Sequence, residues 1–435
     1  MTAAMPVSHI SAADRFRIIS NSLNASSKRS VFNRAQRIQP LNPKMTLTPF
    51  SRPLYVMAKP AGATCNLKCK YCYYLEKQGL YKDELRPQMS DEMLELFVSS
   101  YLLSQTMMEV NFTWHGGEPL MRTIDFYQKA LDLQQKYARG RRVVNCIQTN
   151  GTLLTDRWCE FFAKNHFLVG ISIDGPQDFH DEYRRNKGGA PTWQKIVQGI
   201  KLLNKHGVEW NAMAVVNDFN AGYPIEFYRF FRDELKCRYL QFTPIVERDE
   251  QGEVTDFSVY PDQWGDFLCE MFDEWVRHDV GEMFVQTFDA TLANWVGEAP
   301  GVCSLAPQCG HAGVMEWNGD VYSCDHFVSP DYRLGNIREK TLTEMMYSDR
   351  QMAFGRQKSD SLPSQCRQCD VRFACNGECP KNRFLRTSTG ESGLNFLCAG
   401  YKRFFHHVKP YMDFMAAELK AGRDPANVID FALKR

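Results

Sequence analysis

No stretch of about 18 consecutive apolar residues occurs, which excludes a membrane-spanning helix. Neither sign of charge is in excess: the net charge is +1, so nothing global points to nucleic acid or an acidic membrane surface. The opening segment, as far as Lys44, lacks the apolar core and cleavage pattern of a secretory signal. It is basic, rich in Ser and Asn and poor in acids, as a transit peptide, a disordered tail or a reading frame begun ahead of Met45 would be. Apolar residues make up 44% and charged residues 24% of the 435, an ordinary globular balance, with length for one large barrel and a smaller second domain.

Cysteine is not scarce. Fifteen are present without an export signal, and clustered cysteines in a reducing compartment are more often metal ligands than disulfides. Cys146, Cys159, Cys237 and Cys269 are scattered and read as small buried apolar residues. The other eleven lie in tight groups.

Between about residues 54 and 280, strand-like runs alternate with helical ones. The strands are LYVMAKP, EVNFTWHGGE, RVVNCIQTNG, FLVGISIDG, EWNAMAVVN and YLQFTPIVE. Ser90, Asp125, Thr155 and Thr192 are candidate helix N-caps, and Gly207 a helix stop. Six β-then-α units require a parallel sheet with right-handed crossovers. The fold class expected is α/β, an open partial (β/α)6 TIM-like barrel with its chemistry at the C-terminal strand ends. From Cys303 to Cys398 the text is turns, Gly, Pro and cysteine, too poor in periodic apolar runs for a conventional core, so metal staples are expected. The tail after residue 400 reads as a helix pair or a kinked helix broken at Pro410. The expected divisions are an extension at 1–50, disordered by composition, a barrel at 51–285, a cysteine-rich domain at 286–400 and a helical tail at 401–435.

Two constellations carry chemistry. Cys65-Asn-Leu-Lys-Cys69-Lys-Tyr-Cys72 follows the first strand. Three thiolates there can hold three irons of a cubane and leave the fourth iron without a protein ligand. A structural zinc site wants four ligands and usually pairs two CxxC units. The second constellation is Cys303, Cys309, Cys324, Cys366, Cys369, Cys375, Cys379 and Cys398, enough for two fully ligated 4Fe–4S clusters. Spacing alone leaves their partition open, and four thiolates suit zinc as well as iron.

The first motif, with Tyr71 before Cys72, resembles the signature of the radical S-adenosylmethionine (SAM) superfamily. That resemblance implies SAM chelating the open iron and, after electron transfer, a 5′-deoxyadenosyl radical. It implies SAM contacts from Tyr71, from Gly117 in His115-Gly116-Gly117-Glu118-Pro119, from Ser172 in Ser172-Ile173-Asp174-Gly175, from Arg184 and from Val246. The second constellation, with its Asn318-Gly319 hairpin turn, resembles the SPASM domain, a twin-cluster extension of peptide-modifying radical SAM enzymes. By that resemblance Cys303, Cys309, Cys324 and Cys379 hold one cluster, and Cys366, Cys369, Cys375 and Cys398 the other.

Tyr71-Cys72-Tyr73-Tyr74-Leu75, Cys324-Asp325 and Arg333-Leu334-Gly335-Asn336-Ile337 further resemble the anaerobic sulfatase-maturating enzymes, from about residue 52 to residue 410. This implies three 4Fe–4S clusters, SAM, and oxidation of a serine or cysteine in an unfolded or extended sulfatase to Cα-formylglycine. It implies Asp325 as the base for the substrate proton, an auxiliary cluster as electron acceptor, and Tyr74 shaping the substrate site. An electron donor such as a flavodoxin or ferredoxin, a cytoplasmic location, and no nucleic-acid or membrane partner complete the expectation. A thioether-forming peptide maturase would share every cluster motif, and a non-enzymatic iron–sulfur or zinc scaffold would share the cysteines.

Overall fold

The β-branched and aromatic runs become short strands that pair in chain order. β1 (Tyr55–Ala58), β2 (Glu109–Trp114), β3 (Arg142–Thr149), β4 (Leu168–Ser172), β5 (Trp210–Val216) and β6 (Tyr239–Pro244) are all parallel to their neighbours. A two-residue β7 (Phe284–Val285) adds a seventh parallel strand at the outer edge. The computed structural model describes residues 53–81 and 87–435; the extension expected at 1–50 lies outside the described residues. All four residues of β1 are buried, as a parallel strand covered on both faces must be.

Helices α1 (Asp91–Leu103), α2 (Ile124–Tyr137), α3 (Asp156–Lys164), α4 (Trp193–Lys205) and α5 (Pro224–Arg229) supply the crossovers. Ser90 and Thr155 cap α1 and α3 by accepting from the amides of Met93 and Trp158. Two expected caps differ. The N-cap of α2 is Thr123, and Asp125 falls in the first turn, where its charge complements the helix dipole. Thr192 holds the N-cap position of α4, but its hydroxyl donates to the Arg184 carbonyl at 2.7 Å. The capping oxygen comes instead from Asp181 Oδ1, which accepts from the amides of Thr192 (2.8 Å) and Trp193 (3.0 Å).

The other edge of β1 would be a row of unpaired backbone groups. The cysteine-rich part covers it. β8 (Ala312–Met315) pairs with β1 in parallel, from Tyr55↔Ala312 to Ala58↔Met315. β9 (Asp320–Tyr322) and β10 (Arg333–Asn336) continue antiparallel, through the Asn318-Gly319 turn where Gly319 takes φ +91°. The result is one ten-stranded sheet that crosses the expected 285/286 division, ordered β10-β9-β8-β1-β2-β3-β4-β5-β6-β7.

Helices α6 (Pro261–His278), α7 (Gln286–Val296) and α8 (Cys398–Lys420) close the outer side. α8 runs unbroken through Pro410, contrary to the break expected there. Its aromatic face explains this: Trp264 lies 5.8 Å from Tyr401, and Phe272 lies 6.2 Å from Phe404 and 5.7 Å from Tyr411, ring centre to ring centre. Packing on α6 offsets the hydrogen bond that proline removes. Pro410→Ala should therefore raise stability, by about 1–3 kcal/mol, because it restores that bond without altering the apolar face. A higher urea midpoint is the expected result; an unchanged midpoint would mean the backbone has already absorbed the penalty.

Candidate active site

The loop carrying Cys65, Cys69 and Cys72 leaves the C-terminal end of β1 and is tied to the ends of three further strands. Gly117 N donates to Gly62 O at 2.9 Å and Glu118 N to Thr64 O at 2.8 Å, which joins it to β2. Asn150, after β3, lies 3.7 Å from Cys65 Sγ through Nδ2. Beyond β4, the carbonyls of Arg185 and Tyr183 accept from the amides of Lys68 (2.9 Å) and Lys70 (3.0 Å). Leu67 N donates to Cys65 Sγ at 3.3 Å. Burial pushes the Cys65 thiol up to about 11, Cys69 to about 12 and Cys72 upward. Cys65 and Cys69 are also raised by Cys72, so the three are electrostatic neighbours.

Gly117 was expected to let SAM approach the backbone. The structure adds a second reason for glycine at this position. A Cβ on Gly117 would stand 2.1 Å from Thr64 O and 2.6 Å from Ala63 O, so glycine here lets β2 close on the base of the cysteine loop.

Of the residues assigned to SAM, Tyr71 and Arg184 come together beside Cys69. Arg184, 3% exposed, forks onto Asp174 through Nε (2.8 Å) and Nη2 (3.0 Å), and its guanidinium lies 5.5 Å from the Tyr71 ring. Tyr71 donates its hydroxyl to the same Asp174, whose other oxygen accepts from Val215 N at 2.9 Å. Two of the five guanidinium N–H groups are therefore taken up by Asp174. Ser172 Oγ, at the end of β4, accepts from Gln148 at 3.0 Å. Val246 is buried, and its carbonyl accepts from Lys381 Nζ of the cysteine-rich part at 3.1 Å.

Asp325 is 2% exposed and surrounded by donors. Lys59 Nζ stands 2.6 Å from Oδ1 and Lys77 Nζ 4.0 Å from it. Tyr74 donates to Oδ2 at 2.6 Å, and Tyr73 donates to the same oxygen. Burial opposes ionisation, but the ammonium groups of Lys59 and Lys77 override it and hold this carboxyl well below the usual range. Lys59 also pairs with Glu316 at 2.9 Å, and burial pulls Lys77 down to about 8. His115 Nδ1 lies 3.2 Å from the Tyr74 hydroxyl, and the His326 ring stacks on Tyr73 at 5.7 Å. Lys59, Tyr73, Lys77 and Asp174 are absent from the sequence-derived site. Lys59 ends an apolar strand run, where a lysine can be read as the first solvated residue; only the fold shows it buried.

The eight distal cysteines fall into two neighbourhoods. After burial, the chief cause, Cys303 is raised by Cys309, Cys324 by Cys303 and Cys309, and Cys379 by Cys303 and Cys324. In the other neighbourhood burial again comes first; Cys366 is then raised by Cys369, Cys375 by Cys398 and Cys366, and Cys398 by Cys366 and Cys369. Fixed cations border them. Lys358 Nζ meets the Cys303 and Ser304 carbonyls at 2.6 Å, and Arg383 gathers the carbonyls of Gly377, Lys358, Asn376 and Glu378 within 2.9 Å. Cations fixed beside grouped thiols fit an anionic thiolate-bound group. Among the described residues no three His, Cys, Asp or Glu side chains converge as a single metal ion requires. The thiolates of a cubane each take a different iron and need no such convergence.

Gly117→Ala should force the Ala63–Thr64 backbone away from β2 and empty the Cys65–Cys72 site, with a packing cost of about 1–3 kcal/mol. Iron content after anaerobic reconstitution should fall and SAM cleavage should cease. Wild-type iron would show instead that the loop yields.

Comparison with known proteins agrees with this geometry. The family model of the radical SAM superfamily matches residues 60–231, and that of the SPASM iron–sulfur cluster-binding domain matches residues 309–370. A serine-type anaerobic sulfatase-maturating enzyme of Bacteroides thetaiotaomicron is 63% identical over 88% of this chain and 96% of its own length. A cysteine-type enzyme of Clostridium perfringens is 30% identical over 85% of this chain and 100% of its own. The solved structure of native anSMEcpe with bound AdoMet and the Kp18Cys peptide superposes with a TM-score of 0.75 at 30% identity, covering 84% of this chain and 100% of that one. The parallel barrel, the three-cysteine loop at its rim and the cysteine-rich extension thus have a common source: the chain belongs to the anaerobic sulfatase-maturating enzymes of the radical SAM superfamily.

Proposed function

We propose that the protein oxidises a serine of a sulfatase polypeptide to Cα-formylglycine. The observation that carries this reading is the buried Asp325, which joins Tyr73 and Tyr74 of the cluster loop to Cys324 of the cysteine-rich part. Serine is preferred over cysteine because the relative at 63% identity is of the serine type.

Cys65, Cys69 and Cys72 would hold one 4Fe–4S cluster and leave an iron open for SAM. Tyr71, Gly117, Ser172, Arg184 and Val246 would line the SAM site, with the Arg184 N–H groups not engaged by Asp174 available to the SAM carboxylate. Cys303, Cys309, Cys324 and Cys379 would hold a second cluster, and Cys366, Cys369, Cys375 and Cys398 a third. When bound, these groups supply a hydrogen-abstracting radical at the barrel rim and an electron sink beside Cys324.

The protein's own side chains handle the proton. After a hydrogen atom leaves Cβ, the serine must lose its hydroxyl proton and one electron to become an aldehyde. Asp325 takes that proton. Its Oδ2 already accepts from two phenols, whereas Oδ1 faces the Lys59 ammonium and keeps a lone pair, so Oδ1 is the oxygen left to accept it. Tyr74 shapes the pocket by fixing the carboxylate plane. The substrate is an unfolded or extended segment, since a buried serine could not reach the rim. The electron donor is a small redox protein such as a flavodoxin or ferredoxin. The divisions 1–50, 51–285, 286–400 and 401–435 serve as extension, barrel, SPASM domain and helical tail, the last two sharing α8. Among the described residues no helix is long and apolar enough to cross a membrane, and a cytoplasmic enzyme acting before sulfatase folding is the setting we infer.

Three cubanes predict about 12 irons per chain after anaerobic reconstitution, and no zinc in protein isolated without air. With SAM and a reductant, a peptide carrying Ser-x-Pro-x-Arg or Ser-x-Ala-x-Arg should lose about 2 mass units, the signature of a two-electron oxidation. Thioether formation, or zinc in the distal sites, would contradict the reading. Asp325→Asn should keep its clusters and still yield 5′-deoxyadenosine, while formylglycine falls by roughly 10²-fold or more. Near-normal product would assign the proton to another group.

A further inference from the structure

Lys59 stands one residue past β1, its amide donating to Met315 O at 2.9 Å, so the β1–β8 pairing fixes its backbone. Its side chain is 0% exposed, an environment that an ammonium group tolerates only with paired carboxylates. Two are present, from either side of the β8–β9–Cys324 hairpin: Glu316 at 2.9 Å and Asp325 at 2.6 Å. Glu316 alone would neutralise it. The same ammonium lies 4.6 Å from the centre of the Tyr74 ring, whose hydroxyl donates to Asp325 Oδ2. Lys59 thus touches both the carboxylate and one of the phenols that orient it.

We propose that Lys59 is a positioning residue for serine oxidation: held between Glu316 and the Tyr74 ring, its ammonium fixes where Asp325 Oδ1 meets the substrate hydroxyl. This role rests on the functional reading given above. Lys77 does not duplicate it, since its Nζ is 4.0 Å from Oδ1 and bonded to the Asp325 backbone carbonyl. The phenols do not either, because both address Oδ2. A residue that merely tied the barrel to the hairpin would change how much enzyme folds, but not what each radical event yields.

The test is the ratio of 5′-deoxyadenosine to formylglycine, which does not depend on the folded fraction. Lys59→Met removes the charge at similar length. The double variant Lys59→Met/Glu316→Gln removes one charge of each sign and leaves Asp325 balanced by Lys77, which guards against a stranded buried carboxylate. Both should bind wild-type iron and raise the ratio by ~10-fold or more, as loss of an aligned base implies. A wild-type ratio in either iron-loaded variant would overturn the proposal and leave Lys59 a structural tie. Loss of iron from both would place Lys59 in cluster assembly and likewise overturn it. Failure of the wild-type enzyme to oxidise a serine peptide would instead overturn the functional reading, and this role with it.

Discussion

Four charges, the buried Lys59, Glu316 and Asp325 and the largely buried Lys77, sit where the barrel meets the cysteine-rich part, two positive from one and two negative from the other. Removing a single ion from such a group strands its partner in a poor solvent, at a typical cost of about 3–5 kcal/mol. The register that pairs all four is therefore favoured over any that strands one of them. That register is the one in which β8 extends the barrel sheet beside β1, and in which Cys324 and Asp325 arrive above the loop of Cys65, Cys69 and Cys72. Sheet continuity sets the direction of approach; the charges select its final position.

The same constraint serves chemistry. A carboxylate buried this deeply would ordinarily be driven toward its neutral acid, and a neutral acid cannot take a proton from an alcohol. Two ammonium groups keep Asp325 ionised, and two phenols fix its plane. On the barrel side the parallel device is Asp174, which holds Arg184 and Tyr71 against Cys69. Each rim site therefore pairs a carboxylate with at least one cation and one tyrosine hydroxyl, and each is anchored to the cysteine loop.

Much of this was legible in the sequence because the informative residues are local. The β/α alternation, the tight CxxxCxxC and the Cys324-Asp325 pair all sit within short windows, and the observed strands follow the expected runs. What was not legible depends on contacts between distant segments. The β1–β8 pairing joins residues more than 250 positions apart, and no periodicity announces which edge a hairpin will choose. Lys59 looks like an ordinary solvated strand end until Glu316 and Asp325 close over it. Gly117 carries a superfamily motif, yet its missing Cβ is explained by Thr64. Pro410 reads as a helix break because local propensity cannot see the aromatic face of α6. Asp181, not the Thr192 hydroxyl, supplies the capping oxygen of α4, because the carboxylate arrives from a helix that the strand–helix alternation passed over.

The central claim is that the Asp325 carboxylate is the group facing the substrate hydroxyl. An anaerobic crystal structure of the enzyme with SAM and a serine peptide tests it most directly. The serine Oγ should lie within about 3.2 Å of Asp325 Oδ1, with Cβ directed toward the SAM site above Cys65, Cys69 and Cys72. A serine hydroxyl bonded to another group, with Asp325 still enclosed by Lys59, Tyr73 and Tyr74, would contradict it.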